Sequence, residues 1–303
     1  MECYRVPEIR FQNLKDYDFN PNYFTINGLR MHYVDEGNKA ANPILLLHGE
    51  PSWSYLYRHI IPICVAGGNR VIAPDLIGFG KSDKPKRIKD YSYQAHIDWM
   101  KAFIETLDLK KITLFGQDWG ALIGLRLAAE SEARFASIII SNGMLLTGDQ
   151  RTPVAFKLWK IFARLSPWLP VDRIVNFGCL KKLDKDEKYA YQAPFPASKF
   201  KAGVRAFPKL VPTTPRDPAT QANRKAWEVL EKWNKPFLTV FSDSDPFTRG
   251  GDKYLQQRIP GAKDQKHLTL QGGHFIQEDA AEELAKIIIQ FVKKVIYELE
   301  ESI

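Results

Sequence analysis

The chain has 303 residues, 45% hydrophobic and 26% charged, which excludes a disordered chain and supplies enough apolar material for a sizeable core. Its 43 Lys and Arg against 35 Asp and Glu give a net charge of +8, but no nucleic-acid motif accompanies that charge, so no nucleic-acid partner is expected. No apolar run approaches the roughly 18–20 residues of a membrane span, and no membrane partner is expected.

The N-terminal Met1-Glu2-Cys3-Tyr4-Arg5-Val6-Pro7 lacks the basic-then-apolar pattern of a signal peptide. Three cysteines, Cys3, Cys64 and Cys179, are odd in number and widely spaced. They make neither a disulfide framework nor a zinc site, which predicts a reducing, cytoplasmic setting. Lys181, Lys182, Lys185 and Lys188 interleave with Asp184, Asp186 and Glu187 and read as a solvated face. The densest basic run, Lys81 to Lys89, holds prolines and no interleaved aromatics.

In chain order, residues 23–36 alternate around an Asn27-Gly28 turn and predict a hairpin, Tyr23 to Ile26 and Arg30 to Asp35. Ile44 to Leu47 and Arg70 to Ala73 are short apolar runs, suited to strands buried on both faces of a mostly parallel sheet. Ala95 to Leu107 has helical spacing through Ile97, Met100, Phe103, Ile104 and Leu107. A strand at Ile112 to Phe115, a helix at Ala121 to Ala129 and a strand at Ala136 to Ser141 follow. This alternation indicates an α/β fold.

From about Leu146 to Asn223 the rhythm breaks into short helix-like pieces rich in proline and aromatics. Trp159, Phe162, Leu165 and Trp168 fall near helical spacing there. The rhythm resumes with a strand at Pro236 to Phe241, a helix at Asp252 to Gln257 and a strand at His267 to Leu270. The last helix, Ala280 to Leu299, carries Leu284, Ile287, Ile288, Phe291, Val292, Val295 and Ile296 on one side. The expected organisation is one α/β core (residues 1–145 and 224–303) interrupted by a helical cap (146–223). An insertion after a strand end can cover the crevice where open α/β sheets bind ligands.

The strongest local signal is Gly116-Gln117-Asp118-Trp119-Gly120, which follows an apolar strand and opens a helix. This is the spacing of a nucleophile elbow, whose glycines permit a strained turn and close helix packing. The central residue is Asp118 rather than serine. A carboxylate is ionised at neutral pH and can attack an sp³ carbon to give an ester. The alternative is a plain helix cap, for which Asp is well suited. Downstream, Asp243-Ser244-Asp245-Pro246-Phe247 and Gln271-Gly272-Gly273-His274-Phe275 each follow a predicted strand. Alone, each reads as an ordinary turn. Nucleophile, acid and histidine in that chain order make a catalytic triad on this architecture. His48-Gly49-Glu50-Pro51 also follows a strand. Pro51 has no N–H, so Glu50 and the residue after the nucleophile, Trp119, are the candidate backbone donors of an oxyanion hole.

At this point the chain resembles the haloalkane dehalogenases of the α/β-hydrolase fold. The residues that carry the resemblance are His48 to Arg58 (HGEPSWSYLYR), Ala73 to Pro85 (APDLIGFGKSDKP) and Gln117-Asp118-Trp119-Gly120. It extends into the cap through Ala193-Pro194-Phe195-Pro196 and Ala202 to Lys209. The resemblance implies Asp118 as nucleophile, His274 as base and Asp245 as its orienting acid. It implies a halide held by the Trp119 indole and by a cap tryptophan, matched here to Trp159, with Trp168 as the fallback. It implies a haloalkane substrate, water and a halide ion as partners, with no metal or cofactor. A monomer is expected. An epoxide hydrolase is the runner-up, since it also uses an elbow Asp; it needs cap tyrosines as acids, and Tyr189 and Tyr191 are available. A serine esterase is disfavoured by Asp118, and a silent receptor on the same fold by the intact triad.

Overall fold

The structure is a computed structural model and describes residues 1–301, with side chains described through Glu298. The apolar runs become strands: β1 (Asn22–Ile26), β2 (Leu29–Glu36), β3 (Pro43–Leu47), β4 (Arg70–Pro74), β5 (Ile112–Gln117), β6 (Phe135–Ser141), β7 (Phe237–Ser242) and β8 (Leu268–Leu270). They form one eight-stranded sheet in the order β8-β7-β6-β5-β3-β4-β2-β1. The pairings β1/β2 and β2/β4 are antiparallel and the others parallel. All five residues of β3 and all six of β5 are buried, because helices cover both faces of the parallel half.

The helices are α1 (Ile60–Ala66), α2 (Tyr93–Thr106), α3 (Trp119–Glu130), α4 (Val154–Leu165), α5 (Val171–Gly178), α6 (Lys185–Gln192), α7 (Ala202–Leu210), α8 (Thr220–Leu230), α9 (Gly251–Arg258), α10 (Ile276–Asp279) and α11 (Ala281–Glu301). α3 packs on β5, and α11 on α1 and β6. The predicted strands and helices of the core appear within a few residues of their expected ends. α1 has no counterpart in the sequence reading: Pro62 and a length of seven residues hide its periodicity. No described helix is long and apolar enough to cross a membrane.

Helices α4 to α7 lie between β6 and β7, where the rhythm breaks. α4 ends at Leu165, ahead of Ser166-Pro167; proline disfavours helix in the residue before it, so Trp168 falls outside the helix its spacing suggested. α6 starts with a capping box in which Asp184 and Glu187 exchange side-chain-to-backbone hydrogen bonds. The expected boundary after residue 223 falls inside α8, which packs on α3 beside the sheet. The Lys81–Lys89 run is split: Lys81 and Lys84 are buried, whereas Lys86, Arg87 and Lys89 are exposed. Lys84 is fully buried, donates to the carbonyls of Gly80 (2.7 Å) and Ser82 (3.0 Å), and burial pushes its pKa down to about 7.

Candidate active site

β5 runs straight into α3, and the turn between them is residue 118. Asp118 has φ 51° and ψ −121°, a strained conformation for a residue with a Cβ. The chain tolerates it because the elbow is packed from both sides. A Cβ on Gly120 would lie 1.8 Å from the Leu47 carbonyl oxygen, and one on Gly49 would lie 2.4 Å from the Asp118 side chain. The glycines thus let α3 sit against β3 and let the loop after β3 reach the nucleophile position. Asp118 N–H donates to the Asn142 carbonyl (3.1 Å).

The loop after β3 is held by buried polar contacts. His48 Nε2 accepts from Leu76 N–H (3.0 Å), which leaves Nδ1–H to donate to the Gly49 carbonyl (2.9 Å). Asp75 accepts from Ser54 N–H (2.8 Å), Lys81 N–H (2.7 Å) and His32 Nδ1 (2.8 Å). Burial opposes its charge, but these groups keep its carboxyl well below the usual range. The Glu50–Pro51 peptide is cis. Glu50 N–H donates to Asp118 Oδ1 at 2.7 Å. The other expected donor, Trp119 N–H, lies in the first turn of α3, whose amides have no partner within the helix.

His274 closes the constellation from the loop after β8. Its Nε2 is 3.6 Å from Asp118 Oδ2, and its Nδ1 is 3.1 Å from Asp245 Oδ2. The Nδ1 N–H is not aligned on Asp245, so this is a charge contact rather than an aligned hydrogen bond. Asp245 in turn accepts from Phe247 N–H (2.9 Å) and from the Thr248 hydroxyl. Burial raises the Asp245 pKa, but His274, Thr248 and Phe247 outweigh it and hold the carboxyl below its ordinary value. For His274 burial alone would lower the pKa. The two carboxylates reverse that and raise it to about 10, so the imidazole is charged while both are ionised.

A cavity of about 900 Å³ opens above Asp118 and is lined mostly by apolar side chains. Trp119 lines its floor and packs on Phe207 and Tyr93. Trp159, on α4, lines the cap side of the same cavity as Glu50. Burial, and then the Asp118 charge, raise the Glu50 pKa well above the carboxylate range. The structure separates the two cap tryptophans: Trp168 is 79% exposed and lies outside the cavity lining. It also places both cap tyrosines outside the lining: Tyr191 bonds the Glu278 carboxylate, and Tyr189 is half exposed.

Two residues missed in the sequence anchor the histidine loop. Asn142, just past β6, donates through Nδ2 to the carbonyls of Gly273 (3.1 Å) and His274 (3.0 Å) and to Ser242 Oγ (2.8 Å). Gln117 Nε2 donates to the His274 carbonyl (3.0 Å). The signal for both was a polar side chain at the end of an apolar strand beside the elbow. Among the described residues, no group of His, Cys, Asp and Glu is arranged to hold a metal.

Comparison with known proteins matches the same pattern. A family model of the alpha/beta hydrolase fold matches residues 42–281. The chain is 52% identical to a haloalkane dehalogenase of Psychrobacter cryohalolentis over 298 residues, 96% of this chain and 98% of that one. It is 51% identical to haloalkane dehalogenase 1 of Mycobacterium tuberculosis strain H37Rv, over 96% of this chain and 99% of that one. Among solved structures it resembles the tetrameric haloalkane dehalogenase DpaA of Paraglaciecola agarilytica NO2 with a TM-score of 0.89, 35% identity, and coverage of 94% and 97% of the two chains. An elbow aspartate facing a buried histidine under an apolar cavity, and identity of this extent, lead to one conclusion: the chain belongs to the α/β-hydrolase fold and, within it, to the haloalkane dehalogenases.

Proposed function

We propose that the chain hydrolyses haloalkanes through an ester on Asp118, with His274 as base and Asp245 as its orienting acid. The observation that carries this is the division of labour on one carboxylate. Asp118 Oδ1 is held by Glu50 N–H at 2.7 Å, while Oδ2 faces His274 at 3.6 Å. Oδ2 attacks the halogen-bearing carbon in line, forming a C–O bond as the carbon–halogen bond breaks and the halide leaves with the electron pair. Oδ1 becomes the ester carbonyl oxygen, already aimed at an N–H donor. Water then adds to the Asp118 carboxyl carbon, its proton goes to His274, and the charge developing on Oδ1 is stabilised by the amides of Glu50 and Trp119. Collapse releases the alcohol and restores the carboxylate.

The electrostatics change along the path in the required direction. His274 is charged in the resting site because two carboxylates face it. Esterification neutralises Asp118 and removes one of them, so the imidazole pKa falls toward the range of a base. Asp245 remains to stabilise the imidazolium. The indoles of Trp119 and Trp159 offset the desolvation of the departing halide in an apolar cavity. We assign residues 146 to about 219 the role of a cap over the site. Action as a monomer is tested by sedimentation velocity, and cytoplasmic location, argued from the free cysteines, by fractionation of cells.

The experiment is halide release from short bromo- and chloroalkanes, beside an Asp118→Ala control. Release that vanishes in the control supports the reading. Release that persists in the control removes Asp118 as nucleophile.

A further inference from the structure

The mouth of the cavity lies in an unusual surface. Along α4, Val154, Leu158, Ile161 and Leu165 form one stripe at helical spacing, with exposures from 55% for Ile161 to 70% for Leu165. Trp168 and Phe177 extend it, each 79% exposed. A contiguous apolar face of this kind marks a docking surface. Leu158 and Phe177 are exposed and also line the cavity, so the cavity opens through this face. Arg205 fixes it by donating to the carbonyls of Ala163 (3.2 Å) and Pro167 (3.0 Å) at the end of α4.

The charge around the stripe says what would cover it. Between residues 150 and 182 there are seven Lys and Arg against one acid, Asp172, a net +6 of the whole chain's +8. Arg151, Lys157, Arg164 and Arg173 are exposed and have no carboxylate partner among the described residues. An apolar helical stripe flanked by cations, with a tryptophan at its end, has the composition of a helix lying in the interface of an anionic bilayer. A second copy of the chain would instead bring two such cationic faces together.

We infer that the cap face formed by α4, Trp168 and Phe177 docks on an anionic lipid surface, with the cavity mouth turned toward the hydrocarbon. Resting on the reading above, this gives the surface a purpose: haloalkanes are apolar and concentrate in hydrocarbon, so a docked enzyme draws substrate from the phase that holds it. The inference goes beyond the sequence expectation of no membrane partner, which rested on the lack of a spanning helix.

The test is co-sedimentation of the full chain with vesicles of phosphatidylcholine, with and without phosphatidylglycerol. It needs no turnover, so its outcome is separate from that of the functional reading. Binding is expected only with phosphatidylglycerol, weakening as salt is raised. With roughly fivefold per cation near an anionic surface, the double variant Lys157→Gln/Arg164→Gln loses about 30-fold in partition coefficient. Leu165→Ser also weakens binding, and all these variants keep wild-type halide release from water-dissolved substrate. No binding to phosphatidylglycerol vesicles, or binding unchanged in the variants, overturns the proposal. A dimer in sedimentation velocity that Leu165→Ser dissolves, with no vesicle binding, assigns the face to a second copy and overturns it too.

Discussion

The two walls of the cavity are built differently. On the sheet side, every reacting group sits at the end of a strand and is fixed by buried contacts. Asp118 is pinned by backbone strain and by Glu50, and the His274 loop by Asn142 and Gln117. On the cap side, Trp159 comes from α4, a helix with a single buried residue, Ala163. The reason lies in where precision is needed. In-line displacement and proton transfer tolerate little error in position, whereas enclosing an apolar chain needs only apolar surface.

Breaking the sheet side should have the largest effect. Asp118→Ala is expected to lower halide release by about 10⁶-fold, as for loss of a covalent nucleophile, measured by halide release. His274→Gln should still form the ester and fail to hydrolyse it, seen as added mass on the Asp118 peptide. Steady turnover at the wild-type rate in that variant would remove His274 as base.

Trp159→Phe sharpens the comparison. Losing one donor to the departing halide is expected to cost about 10²-fold in kcat/KM, while the near-conservative swap at a half-buried site costs under about 1.5 kcal/mol of stability. Thermal and kinetic measurements on the same sample separate the two. The joint between the walls behaves in the opposite way. Arg58, fully buried, donates to Glu278 Oε2 (2.8 Å) beside the histidine loop and reaches Glu187 of α6 (3.3 Å). Arg58→Met strands buried carboxylates and is expected to destabilise by about 3–5 kcal/mol, measured by urea unfolding. A loss under about 1 kcal/mol would show that the cap is not tied to the sheet through this pair.

pH offers a milder probe of the same site. The His274 pKa is raised from 6.5 to about 10 on folding, so the folded chain binds the proton more tightly than the unfolded one. Its contribution to stability is complete below pH 6.5 and is lost as pH rises toward 10. Melting temperature should fall across that window, and Asp245→Asn should flatten the fall. The smallest effect is expected at Trp168→Ser, within about 0.5 kcal/mol and without change in halide release. A kinetic defect there would reinstate Trp168 in the site.

How much was legible follows from locality. The strands of the parallel half are continuous apolar runs, because they are buried on both faces. The elbow is a five-residue signature whose glycines exist to let β3 and α3 approach. The order of elbow, acid and histidine could therefore be read along the chain, as could the loop that brings Glu50 N–H to Asp118. The boundary proposed after residue 223 fell within a helix, since α8 is amphipathic like the helices before it and only its packing on α3 places it beside the sheet.

Other features were decided in three dimensions. Sequence spacing put Trp159 and Trp168 on one helix, but Pro167 ends it, and the fold leaves one in the cavity and the other in solvent. Tyr189 and Tyr191 stood as candidate acids until packing turned them away from the cavity. Asn142 holds His274 across 132 positions of sequence, a contact no local pattern encodes. The raised pKa values of Glu50 and His274 belong to this second class as well. Which groups could react was written in local sequence, because backbone turns and strand ends are local. Tertiary structure alone decided which of them are buried together, and burial beside other charges is what sets their protonation.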